Sequence, residues 1–164
     1  MNREEKYMYA ALGYANQAAS LGEVPVGALI VRGEEIISFG YNLREAGRNG
    51  LYHAEMMAID SACRTLGSWR LSGCELYVTL EPCPMCAGAA INTRISRVIF
   101  GAYDKKAGSC GSLLNLLDVK YNHRPRYLGG VLEKQCGEAL RAFFKELRGG
   151  AKLPLGNFAV KSEE

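Results

Sequence analysis

The sequence predicts an α/β fold, a mixed sheet covered by helices on both faces. Three observations predict it. Segments of helical and strand-like patterning follow one another as helix, hairpin, helix, strand, helix, strand, strand, helix. The strand candidates are short apolar runs bounded by turn residues. The chain of 164 residues is the length of one domain, with no internal repeat.

Apolar residues at Tyr7, Met8, Ala11, Leu12, Ala15 and Ala18 recur at helical spacing, and Leu21-Gly22 with Pro25 ends that helix. Val26 to Val31 reads as a buried strand, Arg32-Gly33-Glu34 as a hairpin turn and Ile36 to Tyr41 as the return strand. Residues 43–51, with Gly47 and Gly50, form a loop, and a second helix runs from about His53 to Leu66. Leu76 to Leu80 is a strand broken by Glu81-Pro82. Pro84 then suits the first turn of a third helix reaching Thr93. Val98 to Gly101 is a short strand, residues 102–112 a mobile glycine-rich loop, and Leu113 to Leu117 a short helical piece. Tyr127 to Gly129 is the last strand, and Leu132 to Leu147 a final amphipathic helix closed by Gly149-Gly150. The expected domain is 1–150, followed by a loosely ordered tail over 151–164.

A hydrophobic fraction of 48% and a charged fraction of 23% are those of an ordinary globular protein. The net charge of +3 permits a polyanionic partner without demanding one. No apolar run approaches membrane-spanning length, so no membrane association is expected. The start Met1-Asn2-Arg3-Glu4-Glu5 lacks a secretory layout. Six cysteines without an export signal read as metal ligands and core residues rather than disulfides, which suggests a cytoplasmic location.

The chemistry is concentrated in His53-Ala54-Glu55 and Pro82-Cys83-Pro84-Met85-Cys86. Catalytic zinc takes three protein ligands and keeps one position for water. His53, Cys83 and Cys86 fill that quota, one zinc per chain, and leave Glu55 free as the general base and acid. The chain has only one other histidine, His123. Cysteines three apart at a helix start share one face, where free amides favour thiolates. Those first-turn amides could also hold a developing oxyanion. The histidine-x-glutamate, proline-cysteine-x-x-cysteine pattern is the signature of zinc deaminases acting on nucleobases. A closed structural zinc would need a fourth ligand from Cys63, Cys74, Cys110, Cys136 or His123, none paired at ligand spacing.

Other residues stay open between two roles. Asn42, at a strand end, suits either a base edge or a turn. His123, between Asn122 and Arg124, is a substrate contact or a surface residue. One of Phe143 and Phe144 must turn away from the core, as a stacking surface or a lid. Asp104, Lys105 and Lys106 by themselves read as solvated charge.

With these residues in view the chain resembles the bacterial tRNA-specific adenosine deaminases from Glu4 to about Arg148. The likeness rests on Glu23-Val24-Pro25-Val26-Gly27-Ala28, Asn42, His53-Ala54-Glu55 and the stretch Leu76 to Ala89. It continues through Val98 to Ala102, Gly108 to Leu114, Asn122-His123-Arg124 and Phe143-Phe144. The resemblance implies a three-layer cytidine-deaminase-like fold with a five-stranded sheet. It also implies zinc-dependent conversion of adenosine to inosine at the wobble position of a tRNA anticodon. A homodimer would bind the anticodon stem-loop near the subunit boundary. Asn42 and Phe144 would contact bases, and Asp104, Lys106, Asn122 and Arg148 the RNA loop. Family members carry Pro-Thr-Ala before the metal histidine. Here the stretch is Gly50-Leu51-Tyr52, which sets a large ring near the pocket mouth. The rival readings are a guanine or cytosine deaminase using the same zinc site, and a non-catalytic tRNA-binding subunit.

Overall fold

The computed structural model describes residues 1–150, so the tail expected over 151–164 lies outside the described residues. Five strands form one mixed sheet in the order β2-β1-β3-β4-β5. They are β1 (Gly27–Arg32), β2 (Glu35–Tyr41), β3 (Cys74–Leu80), β4 (Arg97–Ala102) and β5 (Arg126–Leu128). The β1 strand pairs antiparallel with β2 and with β3, whereas β3–β4 and β4–β5 are parallel. Four helices cover the sheet: α1 (Arg3–Ser20), α2 (Ala54–Leu66), α3 (Pro84–Asn92) and α4 (Glu133–Arg148).

Strand periodicity sorts the core into two layers. Leu29, Val31, Tyr77 and Ile99 face α1 and α4, where they meet Tyr7, Met8, Ala11 and Cys136. Ala28, Ile30, Leu76, Val78 and Val98 face α2 and α3, where they meet Ala54, Ala58, Ala62, Ala87 and Ala90. The small residues on α2 and α3 let these helices lie close to the sheet. Gly40 on β2 carries this furthest: a Cβ there would collide with the backbone oxygen of Ala54 and lie 2.7 Å from the Ala58 nitrogen. The start of α2 is thereby seated directly on the sheet.

Helix starts follow their sequence signals. Asn2 and Glu5 form a capping box on α1. Pro84 opens α3, where a missing N–H costs nothing. Gly67, with φ 62°, ends α2 in the left-handed conformation.

Three local expectations need correction. The helical piece over Leu113 to Leu117 is instead one 3₁₀ turn, Leu116–Asp118. Its backbone donors are spent elsewhere: Leu113 N–H goes to Gly108 O at 3.0 Å, and the Asn115 side chain caps Leu117 N–H at 3.0 Å. The last strand begins one residue earlier than expected, at Arg126, and stops before Gly129. A Cβ on Gly129 would lie 2.5 Å from the Phe100 ring, so the backbone passes over that ring there. The loop over 102–112 is not a free loop: Gly108, Ser109 and Cys110 are buried and anchored from below.

Candidate metal centre and substrate pocket

His53 is the N-cap residue of α2 and Cys83 the N-cap residue of α3. Neither side chain caps its own helix, so both are free to point into the space between the two helix starts. His53 Nδ1 lies 3.6 Å from Cys83 Sγ and 3.6 Å from Cys86 Sγ. All three ligand atoms fall within 4.8 Å of one another. Zinc bonds of about 2.3 Å to sulfur and 2.0–2.1 Å to nitrogen, at a tetrahedral angle, put nitrogen and sulfur about 3.5–3.6 Å apart. The donor set and its spacing therefore fit zinc.

Close contact shifts the three ligand groups in opposite directions. Cys83 is pushed down to about 4, first by the Cys86 thiol and, against burial, by His53 and the Cys86 backbone N–H. Cys86, the other partner of that bond, is pushed up. The bond to Cys83 also raises His53. Glu55, buried at the start of α2, is raised to about 7 by burial. Pro84 has no N–H, which narrows the first-turn donors available for an oxyanion. We expect Cys86→Ala to lose its zinc on metal analysis. Full occupancy in that variant would refute the ligand set.

A pocket opens over this centre, lined by His53, Glu55, Cys83, Asn42 and Asp104. All five are among the site residues expected from the sequence. Asn42 is 7% exposed, and its Oδ1 is buried without a hydrogen-bond partner. A buried acceptor left bare is costly, and a turn-capping role would have satisfied it. Arg44, Leu80, Glu81 and Val24 also line the pocket. No spacing signal marked them, because each reaches the pocket only through the sheet and its loops.

The remaining candidates lie elsewhere. Lys106 is exposed on the 104–112 loop, where its backbone N–H donates to Asp104 Oδ1 at 2.9 Å. Asn122 lines a separate cleft with Arg94, Lys120 and Tyr121. His123 lines the same cleft, half-buried, and its Nε2 lies 2.6 Å from Ile95 O, which ties the loop to the turn after α3. Phe143 is buried, whereas Phe144 is 40% exposed on α4 with Arg148 one turn further on. The Tyr52 ring does not line the pocket but packs on Gly47, where a Cβ would collide with it. Cys74, Cys110 and Cys136 are buried and Cys63 half-buried, all free thiols as expected of core residues. Among the described residues no helix is long and apolar enough to cross a membrane.

Residues 1–102 match the family described as the cytidine and deoxycytidylate deaminase zinc-binding region. Together with the His53-Cys83-Cys86 centre, this defines the class as a zinc-dependent deaminase domain. A tRNA-specific adenosine deaminase of Bacillus subtilis is 52% identical over 149 residues, 90% of this chain and 92% of that protein. One from Aquifex aeolicus is 49% identical, over 88% of this chain and 96% of its own length. A solved structure from work on A-to-I editing by tRNA:A34 deaminases at the wobble position superimposes with a TM-score of 0.80. It has 38% identity, over 82% of this chain and 99% of its own. The chain belongs to the family of the tRNA-specific adenosine deaminases. A guanine deaminase from Nitrosomonas europaea shares the fold at a TM-score of 0.71 and 22% identity, covering 87% of this chain and 85% of that one.

Proposed function

We propose that the chain hydrolyses adenosine to inosine at the wobble position of a tRNA anticodon. The observation that carries this reading is the bare Asn42 Oδ1 in the same pocket as the buried Glu55 and the metal triad. It is an acceptor set for a donor on an incoming nucleoside. The relatives at 52% and 49% identity favour the tRNA substrate over the guanine or cytosine alternative.

His53 Nδ1, Cys83 Sγ and Cys86 Sγ would hold the zinc, which when bound supplies Lewis-acid activation of a water. Glu55 is the general base. Its carboxylate would take one proton from the water as oxygen bonds to the amine-bearing carbon and give it to the ring nitrogen, then move the second proton from the new hydroxyl to the amine, which leaves as ammonia when the C–N bond breaks. Burial suits it to both roles, because a carboxyl near pKa 7 gives and accepts protons with equal ease near neutral pH. Asn42 orients the nucleoside and Asp104 borders the opening. Lys106, Arg148 and Phe144 lie outside the pocket, where they meet phosphates and unstacked bases of the loop. We read the assembly as a homodimer that binds the anticodon loop near the subunit boundary, with Asn122 among the residues that contact the loop. A cytoplasmic location goes with that substrate.

The test is to offer the enzyme an anticodon stem-loop, guanine and cytidine separately. Inosine should form at the wobble position of the loop. Rapid turnover of guanine or cytidine with no loop binding would overturn the reading. Lys106→Ala should weaken stem-loop binding and flatten its salt dependence, because fewer counterions are released. Phe144→Ala should cost about 1–3 kcal/mol of stacking with little change in salt slope. Equal salt slopes for Lys106→Ala and wild type would remove Lys106 from the interface.

A further inference from the structure

The wall of the pocket is held by a carboxylate that the deamination chemistry does not use. Glu81 follows β3, two residues before Cys83, and is 2% exposed. No cation pairs with it among the described residues. Its partners are a ring of donors from residues 104–112. Oε1 accepts from Asp104 N–H at 3.1 Å and from the Ser112 hydroxyl. Oε2 accepts from Cys110 N–H at 3.1 Å and Ser112 N–H at 3.0 Å. The next residue adds a backbone tie, Ser109 N–H to Pro82 O at 2.9 Å. Gly108 stands directly against the carboxylate, so close that a Cβ there would strike Oε2. The loop is wrapped around one buried charge, and the first residue it fixes is Asp104, on the pocket lip.

A buried carboxylate stays in place only when its lone pairs are filled, and backbone N–H groups fill them here without a counter-ion. The arrangement is reciprocal. The loop solvates Glu81, and Glu81 sets the loop height relative to Pro82-Cys83, the segment that supplies a metal ligand. We propose that Glu81 is a positioning residue that fixes the Asp104–Ser112 loop, and through it Asp104 on the lip of the pocket, in register with the metal centre. This rests on the tRNA-deaminase reading for its substrate, but the clasp itself does not.

Two variants separate reach from charge. Glu81→Gln turns one acceptor into an amide donor that faces N–H groups, so one end of the loop is released. Glu81→Asp keeps the charge but falls short by one methylene. If the carboxylate acts by holding the loop, both variants behave alike. A purely electrostatic role would be kept by Glu81→Asp.

Three quantities are read on the full-length protein: zinc content, amide hydrogen exchange over 103–113, and Kd for an anticodon stem-loop. Zinc content should hold at the wild-type level. Loop exchange should rise by about tenfold or more, the scale of losing a charge-assisted hydrogen bond, with the helices unchanged. The stem-loop Kd should rise by about tenfold in both variants. Wild-type exchange over the loop, or a wild-type Kd in Glu81→Asp, would overturn the inference. If either Glu81 variant fails to fold, Ser112→Ala removes only the hydroxyl donor and must still raise loop exchange. Wild-type exchange in that variant would also overturn it. Should the wild-type enzyme ignore the stem-loop altogether, the substrate reading fails, and the exchange measurement still decides whether Glu81 holds the loop.

Discussion

Glu55→Ala is expected to abolish deamination while zinc stays bound. A positioned acid–base group contributes about 10²–10⁴-fold, and one that handles the proton twice should fall at or beyond the upper end. Turnover of an anticodon stem-loop and zinc content, measured on the same preparation, check it. Activity within a few-fold of wild type would exclude the role. A companion result concerns stability. Burial raises Glu55 from its ordinary 4.5 to about 7, so between those values the folded chain binds more protons than the unfolded one. Folding stability from this group is therefore lost as pH rises through that window. Zinc-stripped Glu55→Gln, which keeps the shape without the charge, should melt above zinc-stripped wild type at pH 8. The gap should shrink toward pH 4.5.

Gly40→Ala should have the second large effect, although the residue touches neither metal nor substrate. The added methyl would press on the Ala54 carbonyl and the Ala58 nitrogen, both backbone atoms of α2. Overpacking a tight core contact costs about 1–3 kcal/mol, and rigid backbone cannot rotate away as a side chain can. Ala54 sits between His53 and Glu55, so any yielding of α2 moves both. A displacement near 1 Å at a reacting group can cost about 10²-fold in rate. We expect a lower Tm together with weaker zinc retention under chelator challenge. A variant with wild-type Tm and wild-type zinc retention would show that α2 is not seated by this contact.

The metal triad was legible because spacing carries its geometry. Cysteines three apart at a proline-opened helix must share a face, whereas Glu55 was legible from the histidine-x-glutamate motif rather than from helix periodicity. Asn42 was legible only as an alternative, and its bare Oδ1 favours the pocket role over the turn. Glu81 lies inside the resembling stretch Leu76 to Ala89, but nothing there marked its role. Its partners are backbone amides 23 to 31 residues further on, and a backbone amide has no sequence signature. Glu23 heads one of the resembling motifs, but its role was hidden in the same way: it is 1% exposed and accepts from Glu45 N–H at 2.6 Å, which holds the loop before His53. Composition also misled. Gly108 and Gly111 read as mobility, yet Gly108 is glycine because the loop is pressed against a carboxylate. Asn122 and Phe144 could be named from likeness but not located, since their distance from the pocket depends on how β5 and α4 return to the sheet.

His53 and Cys83 occupy the two positions where an ordinary helix would carry serine, threonine, aspartate or asparagine. Such caps are worth about 1 kcal/mol each, and both helices forgo them. Heat tolerance and turnover therefore pull these positions in opposite directions. A laboratory lineage selected for surviving high temperature with zinc withheld would be drawn toward aspartate or serine at 53 and 83, and would arrive at sturdier helix starts with no catalyst behind them. Zinc held by these residues would make ligation and helix initiation one event, and would so offset the two missing caps.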